Sequence, residues 1–83
     1  MGGREVSALK DSELLERLRA RRALPLAAER RQIRLDAGAS LRDVAREIGV
    51  SATSVIRWER GSSPGAHTTA YARLLEELKR LAA

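Results

Sequence analysis

The chain has 83 residues, a length that supports one small core and leaves little room for a second domain. It carries 16 basic residues against 11 acidic, a formal net charge of +5, and such a surface draws polyanions. The absence of cysteine excludes disulfides and thiolate metal sites, and no apolar run approaches the roughly 18 residues of a membrane span.

The only aromatic residues are Trp58 and Tyr71, and the apolar content is mostly Leu, Ala, Ile and Val. That inventory suits helices packed on helices better than a β-sandwich, so the expected class is all-α. All but two of the basic residues are arginine, the lysines being Lys10 and Lys79. By charge alone the arginines are equally well read as an ordinary solvated surface. The opening "MGGREVSALK" lacks the apolar core of a secretory signal, and the chain reads as a soluble cytoplasmic protein.

Residues 1 to 9 have two glycines and a weak apolar pattern and read as a frayed tail. From Asp11 or Ser12, either of which suits an N-cap, "SELLERLRARRAL" runs helically, with Leu14, Leu15 and Leu18 on one side and arginines toward its end. Pro25 ends it, because the residue before a proline avoids the α region. The division expected from this pattern is a tail and basic helix over residues 1–24 and a second unit over residues 25–83.

A second helix is predicted from Pro25 or Leu26 to Ala37, with Gly38 as its left-handed exit. Ser40 and Asp43 form a Ser-x-x-Asp capping pattern, and Leu41, Val44, Ala45 and Ile48 fall on one helical stripe before Gly49 stops the chain. Only Val50 precedes Ser51, which caps a helix running to Arg60 and closed by Gly61. A last helix is predicted from about Ser63 and Pro64, with Tyr71, Leu74, Leu75, Leu78 and Leu81 as its apolar stripe. Leu74 and Leu78 are expected to cover the central helices, leaving Leu75 and Leu81 without an evident partner.

Between Ser51 and Arg60, at about 100° per residue, Arg57 and Arg60 lie within about 40° of Thr53, Ile56 lies about 60° away, and Val55 and Trp58 fall near the opposite side. A helix that sinks Val55 and Trp58 must present Thr53, Ile56, Arg57 and Arg60. Such side chains suit a major groove: arginine donates two bonds to guanine, threonine bonds a base or phosphate, and aliphatic groups meet a thymine methyl. Gly49 permits the sharp reversal before this helix, and the small Ala45 lets the two helices approach closely.

The string "GVSATSVIRWERG", with Ala45, Gly49, Val55 and Trp58 at their spacing, resembles the helix-turn-helix regulators of the phage lambda repressor/Cro type, often called Xre-like. The resemblance runs from Leu26 to Leu81 and implies a five-helix lambda-repressor-like DNA-binding domain with an extra N-terminal helix. It implies that Ser51 to Arg60 is the recognition helix, with Ala52, Thr53 and Arg57 at base-reading positions and Ile56 either touching a thymine methyl or contacting nothing. Ala52 departs from the long polar residue common at that place. Phosphate contacts are expected from Ser40, Arg42, Ser51, Ser54 and Arg60, whereas Leu41 stands where some relatives grip phosphate with Gln. Arg34 and Glu59 look like an ion pair joining the first helix of the motif to the recognition helix.

Arginines 17, 19, 21, 22, 30, 31 and 34 face a single acid, Glu29, in the same stretch. Arg21 and Arg22 are read as a phosphate-gripping arm, with a solvated surface and a partner surface as competing readings. No nucleophile or metal motif is present, the lone His67 reads as a surface or capping residue, and neither an enzyme nor a cofactor is expected. The sequence thus points to a regulator that binds double-stranded DNA and represses by occupying an operator, with a homodimer left open. The competing reading is an Xre-like antitoxin or other protein-binding module with secondary DNA binding.

Overall fold

The computed structural model describes residues 12–83, so the expected N-terminal tail and the alternative cap Asp11 lie outside the described residues. The described chain is all-α: α1 spans Ser12–Ala23, α2 Ala27–Asp36, α3 Leu41–Ile48, α4 Ala52–Glu59 and α5 Thr68–Ala82, with a short 3-10 turn at Gly65–His67 before α5. Helices α3 and α4 form the bent pair predicted from Gly49, and α5 packs across α1, α2 and α3.

The boundaries follow local chemistry. Ser40 and Asp43 close a reciprocal capping box: the Asp43 amide donates to Ser40 Oγ at 2.9 Å and the Ser40 amide donates to Asp43 Oδ2 at 2.8 Å. Those bonds hold the Asp43 carboxyl below the usual carboxylate range, the backbone donor contributing most. Gly49 ends α3 in the left-handed region at φ +87°, and its amide and that of Val50 both donate to the Ala45 carbonyl. Ser51 caps α4 by accepting from the Ser54 amide at 3.2 Å.

Two predicted starts move. Helix α2 begins at Ala27 rather than at Pro25 or Leu26, because Leu26 is extended at φ −60°, ψ 153°. Helix α5 begins at Thr68 rather than near Ser63 or Pro64, because Gly65 takes φ +58° and interrupts the helical path. His67 occupies the N-cap position without making a side-chain cap; its ring lies 5.9 Å from that of Trp58.

The core is built from Val44 and Ala45 of α3, Val55 and Trp58 of α4, and Tyr71 and Leu75 of α5. Val55 and Leu75 are fully enclosed, each worth about 1.5–3 kcal/mol relative to exposure. Leu75 is thus central, contrary to the expectation that it lacked a partner, because α5 uses two faces at once. Leu74 and Leu78 pack half-buried beside it, while Leu81 is exposed.

Helix α1 buries no residue. It lies along α5, with Ala20 and Ala23 beside Thr69 and Ala72, and Arg73 Nη2 donates to Glu16 Oε1 at 2.8 Å across the seam. Leu14, Leu15 and Leu18, 39–46% exposed, face outward. The leucine stripe of the sequence exists, but small side chains make the contact instead.

Candidate nucleic-acid interface

Helix α4 separates its faces as its periodicity requires. Val55 is fully buried and Trp58 nearly so, while Thr53, Arg57 and Arg60 are exposed. No side-chain hydrogen bond or ion pair engages Thr53, Arg57 or Arg60 among the described residues. One hydroxyl and two guanidiniums therefore face solvent together on a helix fixed from behind.

The flanking positions differ in availability. Ala52 is half-buried and packs on the core, so only part of its methyl remains accessible. Ile56 is half-buried and lines a shallow groove with Arg31, Leu41 and Arg60, floored by Arg34 and Glu59. The hydroxyls of Ser51 and Ser54 lie 3.1 Å apart and bond each other, and Ser40 Oγ is engaged in its cap. Arg42 is exposed on the first turn of α3. Arg21 and Arg22 are exposed at the end of α1, which packs on α5, and they form no ion pair among the described residues.

The end of α4 is anchored by buried charge. Arg34 Nε donates to Glu59 Oε2 at 2.6 Å and Nη2 to Oε1 at 3.0 Å, while Nη1 donates to the Ala39 carbonyl at 3.1 Å. Both side chains are under one-tenth exposed. The hydrogen bond to Glu59 raises the already high Arg34 pKa further, against the opposing effect of burial. One guanidinium thus joins α2, the turn before α3 and the end of α4.

The roles of three residues at this site are not legible in the sequence. Arg31 rims the groove beside Ile56. Tyr71 is enclosed beneath Trp58, and its hydroxyl has no hydrogen-bond partner among the described residues. Arg30 donates from Nη1 to the Trp58 carbonyl at 2.9 Å and from Nε to the Pro25 carbonyl at 2.8 Å. The one signal for Arg30 was its place four residues before Arg34, on the same face of α2.

Among the described residues no group of His, Cys, Asp and Glu is placed to hold a metal, and no helix is long and apolar enough to cross a membrane. Residues 31–68, from within α2 to the first residue of α5, match the helix-turn-helix family. The match supports a helix-turn-helix regulator and, with it, a general role in DNA-binding transcription control. No curated protein and no solved structure matches the chain.

Proposed function

We propose that the protein is a sequence-specific regulator of the lambda repressor/Cro type that lays α4 in the major groove of duplex DNA and represses by occupying an operator. The observation that carries this reading is the split of α4: Val55 and Trp58 are locked inside while Thr53, Arg57 and Arg60 stand exposed and unpaired among the described residues. Arg57 and Thr53 are the base readers, with Ile56 and the accessible edge of Ala52 meeting thymine methyls. Ser40, Arg42, Ser51, Ser54 and Arg60 set the register on phosphates, and Arg21 and Arg22 extend the grip.

Selection of bound duplexes from a random pool tests the proposal. Enrichment of a defined motif, held more tightly than random competitor, supports it, and two symmetric half-sites would add a homodimer on DNA. Equal affinity for every duplex sinks the sequence-specific reading.

A second reading has its own support in the outward leucines of α1, which suit a protein partner and the antitoxin-like alternative. The two separate in solution. A lone, stable protein that shifts a selected duplex favours the regulator, and aggregation relieved only by a co-expressed partner favours the binding module.

A further inference from the structure

We propose that Arg30 is a positioning residue for DNA reading, holding the last turn of α4 by its backbone so that Arg57 and Arg60 leave the helix at the angle a groove requires. The inference rests on the DNA-binding reading above. Arg30 lies just before the segment matched to the helix-turn-helix family, so the match assigns it no role.

The final carbonyls of a helix lack intrahelical partners, and a cation there is favoured by the helix dipole. In α4 the carbonyls of Ile56 and Arg57 accept from the Arg60 amide, and that of Arg57 also accepts from the Ser62 amide at 3.0 Å. The Trp58 carbonyl accepts from the Gly61 amide at 3.2 Å and, more closely, from Arg30 Nη1 at 2.9 Å. One turn along the same face of α2, Arg34 grips the Glu59 carboxylate. Two guanidiniums therefore hold two consecutive residues of α4, one through main chain and the other through side chain. Arg57 and Arg60 immediately flank that gripped pair.

The other arm of the fork reaches the Pro25 carbonyl, in the segment that joins α1 to α2. The end of the reading helix and the segment that follows α1 thus share one side chain. Half-buried between two carbonyls, Arg30 is spent inside the protein rather than presented to phosphate. Lysine keeps the charge but offers a single compact ammonium in place of a planar fork.

The experiment compares the wild-type chain with Arg30→Lys and Arg30→Ala by amide hydrogen exchange without DNA and by titration with the selected duplex and a random duplex at several salt concentrations. Positioning predicts faster exchange at Gly61 and Ser62 in both variants. It also predicts that Arg30→Lys weakens the selected complex about tenfold, leaving the random complex and the salt slope unchanged. Wild-type affinity in Arg30→Lys, with Arg30→Ala losing both duplexes and flattening the salt slope, would make Arg30 a phosphate contact and overturn the proposal. A lower melting temperature with an unchanged selected-to-random ratio would reduce it to a stabilising bond and overturn it equally. If the wild type itself fails to discriminate among duplexes, the DNA reading has failed, and the proposed positioning for DNA reading falls with it; the exchange rates then report separately whether the Arg30 grip exists.

Discussion

The ring of Trp58 lies 4.8 Å from that of Tyr71, centroid to centroid, at a tilt of 47°. This contact pins α4 to α5, and such an aromatic pair contributes about 0.5–1.5 kcal/mol beyond its buried area. It also leaves the Tyr71 hydroxyl enclosed without a partner among the described residues.

Tyr71 titrates late. Burial first, and the charge of Glu59 second, push its phenol from 10.0 up to about 12. The unfolded chain therefore releases this proton before the folded one does. The resulting stability is complete below pH 10 and is lost as pH rises toward about 12. Tyr71 is the only tyrosine, so phenolate absorbance follows it alone. A native midpoint equal to that of the denatured chain would contradict the burial. Tyr71→Phe removes the orphaned hydroxyl and is expected to leave stability unchanged or raise it by about 1 kcal/mol in denaturant titrations.

Glu59→Ala leaves the Arg34 guanidinium buried without its carboxylate, and removing one partner of such a pair costs about 3–5 kcal/mol. The midpoint of urea unfolding measures the loss. A change below about 1 kcal/mol is the size found for an exposed pair and would show that water reaches the site.

Arg57→Ala is expected to cost about 1–3 kcal/mol on the selected duplex and to relax preference at one base pair. Competition among duplexes varied at each position reads this directly. Uniform loss across all of them would reassign Arg57 to a phosphate.

Gly49→Ala tests the turn. A methyl group at Gly49 meets nothing within 4 Å, so the penalty is conformational, from φ +87° alone. That penalty is about 1–2 kcal/mol and should appear as a lower melting temperature with the helical spectrum intact. No change in melting would mean that the turn relaxes without loss.

Replacing Arg21 and Arg22 with Gln should weaken binding to every duplex and lower the dependence of affinity on salt. An unchanged salt slope would confine DNA contact to α3 and α4.

Much of the candidate site's geometry was legible because it is local. The 100° step along α4 alone separates Val55 and Trp58 from Thr53, Arg57 and Arg60, and the structure buries the first pair and exposes the other three. The capping box of Ser40 and Asp43 and the stop at Gly49 likewise depend on neighbours a few residues away. The start of α5 was misplaced because Pro64 favours a first turn, while the left-handed Gly65 beside it has the opposite effect. Leu75 and Leu74 share one broad apolar stripe, and only the positions of α1, α2 and α3 around α5 decide which is enclosed. The grip of Arg30 on the Trp58 carbonyl joins residues 28 apart through main chain, a contact that no side-chain pattern encodes.

Because α1 sinks none of its side chains, changes along its outer surface leave the interior untouched. Selection for a folded protein accordingly has little hold on Leu14, Leu15 and Leu18, and these positions are free to drift across descendants unless something outside the molecule rewards them. Substitutions on that outer surface are therefore expected to change what α1 touches while leaving the exposed face of α4 as it is.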